Sequence, residues 1–119
     1  VQGDTLLLPV NIQQIKQEFA QDMRFFYKIL LTFLKNLDAQ IPQLQKAIIS
    51  KDKDKVIFEA HRIKGGAANL RAEKLSFIAR EIESMGNARE WEGLLLKIKE
   101  LKNEVLKLWQ FYKKGSVDK

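Results

Sequence analysis

The chain has 119 residues, 45% hydrophobic and 30% charged, a balance that reads as one globular domain with its own core and no room for a nucleotide-binding fold beside it. Its formal net charge of +6 hints at acidic partners, but Lys113, Lys114 and Lys119 at the C-terminus supply part of it, so charge alone selects none. The absence of cysteine excludes disulfides and thiolate metal sites, and apolar stretches such as Ile29 to Leu34 fall well short of the roughly 18 residues that span a bilayer.

The sequence starts at Val1 with no signal-peptide pattern behind it and reads as a segment of a longer polypeptide. Residues 1–8 are expected to be a flexible N-terminal segment, 9–114 the folded domain and 115–119 a flexible tail. A short leading helix, from about Asn11 to Phe19, is expected to cover one end of the domain. From Met23 the apolar series continues through Tyr27, Leu30, Leu34, Leu37, Ile41, Leu44 and Ile48, an alternation of fours and threes that only a long amphipathic helix explains. Pro42 falls on its polar side, and because the pattern resumes unchanged beyond it the segment is one bent helix, not two.

Val56, Ala60, Ile63, Ala67 and Leu70 mark a second long helix, Leu75, Ile78, Ile82 and Met85 a third. Trp91, Leu94, Ile98, Leu101, Val105, Leu108 and Tyr112 mark a fourth. Breaks fall at Ser50 to Asp54, at Asn69 to Ala72, and at Gly86 and Asn87, with Asn87 and Glu90 spaced as a capping box for the last helix. Asp52 and Asp54 sit where a helix start favours negative charge. Connections this short force consecutive helices antiparallel, so the fold class is all-α, an antiparallel up-down-up-down four-helix bundle with a short N-terminal covering helix.

Function enters with the only histidine. At about 100° per residue the core stripe of the second long helix is centred roughly 140° from His61, so the imidazole points outward. Ile57, Phe58, Lys64, Gly65 and Ala68 lie within about 60° of it. That combination of apolar, small and basic groups on an outward face reads as a docking surface, against the alternative that Ile57 and Phe58 are covered by the leading helix or tolerated singly. Gly65 and Gly66 each cost about 1 kcal/mol relative to alanine in a helix interior. Gly65, one turn from His61, leaves space for another backbone or a bulky group; Gly66, nearer the core edge, is a close-packing position. Lys64 stands beside His61, where an ammonium can offset negative charge on the ring's substituent. Residues equidistant from the Leu70 to Ala72 turn lie level, which brings Glu83 opposite His61. A carboxylate there can accept from Nδ1–H and leave Nε2 as the nucleophile, although spacing equally allows Glu83 to be solvated or paired to a surface lysine. Arg80 is its neighbour one turn closer to the loop.

The run His61-Arg62-Ile63-Lys64-Gly65-Gly66-Ala67-Ala68-Asn69-Leu70 resembles the HxxKG motif of the histidine-containing phosphotransfer (HPt) domains of bacterial multistep phosphorelays. The resemblance extends from about Asn11 to Lys113 in helix number, loop placement and the position of the histidine. It implies that His61 accepts a phosphoryl group from an aspartyl phosphate on a receiver domain and passes it to another receiver, with Lys64 as charge partner, Gly65 as the clearance site and Glu83, a position where relatives carry glutamine or glutamate, orienting the ring. Ile57, Phe58, Arg62, Ala68 and Arg80 are the expected partner-binding residues. Arg71 departs from the pattern, since many relatives have glycine there, and this leaves the conformation of the turn open.

The resemblance also implies a monomer in the cytoplasm that makes no membrane contact of its own, free or tethered to the inner membrane through a parent sensor kinase. The start at Val1 favours a hybrid kinase as parent over a chemotaxis-type kinase or a standalone carrier. No cofactor of its own is expected, Mg²⁺ belonging to the partner receiver. No GxxxxGK[ST] loop or kinase glycine-rich signature is present, so ATP binding is not expected. One histidine makes a zinc site improbable. Asp52-Lys53-Asp54 fails as a calcium loop because Ile57 and Ile63 occupy the positions that need glycine and glutamate. A basic nucleic-acid-binding module is disfavoured, because the 21 basic residues are dispersed among 15 acidic ones without aromatic interleaving. A purely structural bundle is disfavoured by an outward histidine beside a costly glycine.

Overall fold

The computed structural model describes residues 8–19 and 22–117, which form five helices: α1 (Ile12–Glu18), α2 (Met23–Ile49), α3 (Lys53–Asn69), α4 (Glu73–Asn87) and α5 (Trp91–Val117). Residues 1–7, most of the expected flexible N-terminal segment, and residues 118–119 of the expected tail lie outside the described residues. Helix α5 runs to Val117, past the tail boundary placed after Lys114. There Gly115 lies directly against the Tyr27 ring, so the last turn is packed onto α2.

Each helix start has a local cause. Asn11, Asp22 and Asp52 are N-caps whose side chains accept from the backbone N–H groups of Gln14, Phe25 and Lys55. Helix α2 is continuous through Pro42, which is solvent-exposed, so the backbone carbonyl that loses its partner there is open to water. The three connections inside the bundle share one device. Lys51, Arg71 and Arg89 adopt φ of 57°, 58° and 59°. Around each, the residue itself donates to a carbonyl three back and the next residue to a carbonyl five back, the two bonds of a Schellman turn. Arg71 thus takes the left-handed conformation that glycine adopts more easily. The Asn87–Glu90 capping box is not formed: Glu90 N–H donates instead to the Met85 carbonyl at 2.9 Å, closing α4, and Asn87 is the last residue of that helix.

Helix α2 packs against α3 and α5, and α4 against the same two, which closes a four-helix ring. The N-terminal turns of α2 meet the C-terminal turns of α5, as antiparallel neighbours must: the Tyr27 ring lies 6.0 Å from Phe111 and 6.2 Å from Tyr112, centroid to centroid. The predicted stripes of α3, Val56, Ala60, Ile63, Ala67 and Leu70, are buried throughout, as are Leu94, Ile98, Leu101, Val105 and Leu108 of α5. The first turn of α2 differs from expectation. Phe26 is fully buried, while Met23 and Tyr27 are half-buried at the core's edge, because the stripe drifts round the helix over 27 residues.

Helix α1 caps the end of the bundle that holds the α3–α4 turn. Val10 and Ile15 enter the core. Asn11 N–H donates to the Arg71 carbonyl at 2.8 Å, and the Arg71 guanidinium grips both carboxylate oxygens of Glu18. No described helix is long and apolar enough to cross a membrane.

Candidate functional site

The site is built on the α3–α4 hairpin, whose two helices are tied on either side of His61. Toward the turn, Ser76 Oγ donates to the Lys64 carbonyl at 3.1 Å. Toward the open end, Gly86 sits so close to α3 that a Cβ there would be 2.8 Å from a Val56 methyl. Gly86 and Asn87 end α4 as expected, and Gly86, buried in its last turn, is also the close-approach point of the two helices.

Between those ties His61 stands with its side chain 65% exposed and Nδ1 3.2 Å from Glu83 Oε2. Lys64 Nζ donates to the other carboxylate oxygen at 2.9 Å. Level placement across the turn therefore does bring Glu83 opposite His61, and its lysine partner is Lys64 itself. The ammonium of Lys64, first, and then the His61 ring hold the Glu83 carboxyl below its ordinary value, outweighing the opposing effect of partial burial. An ionised carboxylate only accepts, so the network assigns the ring proton to Nδ1 and the free lone pair to Nε2. Nε2 has no protein partner among the described residues.

The flanking residues divide by helix face. A Cβ on Gly65 would meet nothing within 4 Å, so this glycine fronts open space beside the ring. On Gly66 it would lie 2.6 Å from the Phe33 ring, so that glycine is where α2 and α3 approach closely, as its phase predicted. Ile57 is half-buried, Ala68 exposed, and Phe58 58% exposed. The Arg62 guanidinium lies 5.4 Å from the Phe58 ring centroid and 3.6 Å from Glu59, a carboxylate buried at 6% exposure. Arg80 is exposed, its guanidinium 5.6 Å from the Phe77 centroid. All nine residues singled out from sequence fall on or beside the α3–α4 face.

Sequence reasoning missed Phe77, Ser76 and Arg71. Together with Lys64, Gly65, Ala68, Glu73 and Arg80 they line an open groove of about 550 Å³ between α3 and α4. The signal for Phe77 was available, since it lies off the Leu75, Ile78 and Ile82 stripe and so had to face outward.

Chemically, this is an exposed nucleophilic nitrogen with an oriented ring, an adjacent ammonium and open approach. Among the described residues no group of three or more histidine, cysteine or acidic side chains is placed to hold a metal.

Among curated proteins no significant sequence relative is found. The chain is similar in fold to the crystal structure of histidine-containing phosphotransfer protein B (HptB) from Pseudomonas aeruginosa PAO1, with a TM-score of 0.74 and 19% identity over 91% of this chain and 89% of that one. The family model for the Hpt domain matches residues 28–111, which take in all of α3 and α4 and with them the His61 site. The chain therefore belongs to the Hpt domain family.

Proposed function

We propose that this protein is a phosphorelay intermediate that carries a phosphoryl group on His61 Nε2 between the aspartates of two receiver domains. The observation that supports it most is the exposed imidazole whose Nδ1 is held 3.2 Å from Glu83 while Nε2 is left open. In the first transfer the Nε2 lone pair attacks the phosphorus of the receiver's aspartyl phosphate. The Nε2–P bond forms as the P–O bond to the acyl oxygen breaks, and the aspartate leaves as a carboxylate. The ring keeps its Nδ1 proton and becomes cationic, and Glu83 offsets that charge without taking the proton. Lys64, anchored next to the ring through Glu83, places an ammonium near the phosphoryl oxygens. The second transfer is the reverse with a different aspartate, and Mg²⁺ is supplied by the receivers, which needs no ligand from this chain.

Phosphoryl transfer asks a protein chiefly for positioning and charge neutralisation, and a nucleophile held on a packed two-helix scaffold meets the first demand. Ile57, Phe58, Arg62, Ala68 and Arg80 provide the surface on which receivers dock. The protein acts as a monomer on the cytoplasmic side, free or as part of a parent kinase. The test is incubation with a set of phosphorylated receivers, comparing wild type with His61→Gln. Acid-labile, alkali-stable label on the wild type and none on the variant is expected; equal labelling of both refutes the proposal.

A further inference from the structure

Most cations around the site have an acid of their own. Lys64 is paired to Glu83, Arg71 to Glu18 and Arg62 to Glu59. Arg80 is the exception: it is exposed and has no carboxylate within ion-pair distance among the described residues. Its guanidinium lies over Phe77, an exposed aromatic that the bundle does not use. Stacking on an aromatic face steadies a guanidinium and leaves the N–H edge of its fork available to a carboxylate.

The position of Arg80 matters as much as its charge. It lines the groove of about 550 Å³ that contains Lys64 and Gly65, and also a second one of about 340 Å³ that contains Ile57 and Glu83. It therefore stands between the two open spaces bordering the site. The first groove is lined by Gly65 and Ala68, which leave it shallow, and carries Lys64, Arg71 and Arg80 against the single acid Glu73. Any protein that brings an aspartyl phosphate within bonding distance of His61 Nε2 has to cover part of this ground.

Resting on the phosphotransfer reading, we infer that the Arg80–Phe77 pair selects among receivers, favouring those that present a carboxylate beside an apolar side chain on the face docked over the α3–α4 hairpin. Arg80 is here a docking and specificity residue that does not touch the transferring group. A charge at the edge of a docking surface acts mainly on encounter and on its salt dependence. The effect is therefore on the receiver concentration needed for transfer more than on the maximal rate.

The experiment measures the initial rate of phosphoryl transfer against receiver concentration for a panel of receivers, at low and high salt, with wild type, Arg80→Glu, Arg80→Lys and Phe77→Ala. Circular dichroism checks the fold of each variant. In parallel, phosphoramidate, a small phosphoryl donor that needs no docking partner, reports the nucleophilicity of His61 itself. For the preferred receiver Arg80→Glu should raise the half-saturating concentration by about tenfold or more, with smaller rises for Phe77→Ala and for Arg80→Lys, which keeps the charge but loses the planar fork that stacks on Phe77. The penalty should shrink at high salt and be smallest for the receivers that wild type uses least well. A half-saturating concentration within twofold of wild type for Arg80→Glu across the panel overturns this inference alone, provided the receivers still transfer to His61. Absence of transfer from any receiver to wild type, while phosphoramidate labels His61, overturns the phosphotransfer reading and this inference with it.

Discussion

Replacing Gly65 separates the needs of the fold from those of the partner. Its position in the α3 interior carries a propensity penalty of about 1 kcal/mol against alanine, and a Cβ there meets nothing within 4 Å, so no steric term opposes the gain. Gly65→Ala should stabilise the domain by about 1 kcal/mol and Gly65→Gln by somewhat less, because glutamine is a slightly weaker helix former. For a domain of 119 residues this corresponds to a rise in Tm on the order of 3–5 °C. Function should move the other way. The glutamine side chain extends into the open groove one turn from His61, where an incoming receiver has to approach, and a displacement of about 1 Å in the reacting groups costs on the order of 100-fold in rate. Transfer to Gly65→Gln should therefore fall at least tenfold while phosphoramidate labelling of His61 persists. Thermal unfolding by circular dichroism and quench-flow phosphotransfer read the two effects. A stabilised Gly65→Gln variant that exchanges phosphoryl groups at the wild-type rate refutes the clearance role, and a destabilised Gly65→Ala variant refutes the claim that the fold does not use this glycine.

Lys64→Ala should slow transfer clearly more than it lowers stability, because an ion pair whose partners are 29% and 24% exposed is worth at most about 1 kcal/mol; urea unfolding and transfer kinetics on the same preparation check this. The folded-state value of Glu83 is lowered, so its contribution to stability is present above its ordinary 4.5 and is lost as pH falls from there through the lowered value. Glu83→Gln should accordingly show a smaller loss of stability than wild type over that acidic window, read as denaturant midpoints against pH. Lys51→Gly should stabilise by about 1 kcal/mol, since φ of 57° is a conformation that glycine adopts without a Cβ clash, and an unchanged or lower Tm counts against strain at that turn. Gly86→Ala places a methyl 2.8 Å from the fully buried Val56. Overpacking of about 1–3 kcal/mol should outweigh the propensity gain, and the His61 Nδ1–Glu83 hydrogen bond should weaken, visible in the ¹⁵N shifts of the ring.

The sequence made the bundle legible because its signals are periodic and local. The stripe of α3 named its buried side chains residue by residue, that of α5 did so from Leu94 to Leu108 while Trp91 and Tyr112 at its ends are half-buried, and helical phase placed His61 outside and Gly66 at a close-packing position. Signals that depend on a neighbouring element were read less well. Asn87 and Glu90 have capping-box spacing, but the same Glu90 N–H is claimed by the Met85 carbonyl once Arg89 turns left-handed, a competition that pattern alone does not decide. Gly86 and Asn87 end their helix as the pattern indicates, but the close packing of Gly86 on Val56 depends on another helix and left no mark in the pattern. The tail at Gly115 looked frayed, yet Tyr27, far away in sequence, packs against it. Arg71, departing from the usual glycine, keeps the left-handed turn while its guanidinium holds Glu18, an interaction that no spacing rule foretells.

These long-range placements converge on the separation of α3 and α4. A hydrogen bond of 3.2 Å between side chains on different helices survives only where the helix axes are held closely, since an outward shift of half an ångström would lengthen it past the useful range. The contact at Gly86 brings the axes together on one side of His61, and the Ser76–Lys64 bond fixes them on the other. On the turn side, α1 adds a brace, because Asn11 and Glu18 both bind Arg71 in the connection. Lys64 joins this scaffold twice, through its carbonyl to Ser76 and through its ammonium to Glu83. Much of the rigidity that orients the imidazole is thus supplied by Gly86, Ser76 and the α1 brace, which lie away from the ring, while the space beside Gly65 is left open. A histidine on a solvated helix without those ties would rotate freely. Here the packing of the hairpin fixes which ring nitrogen faces Glu83 and which is left open.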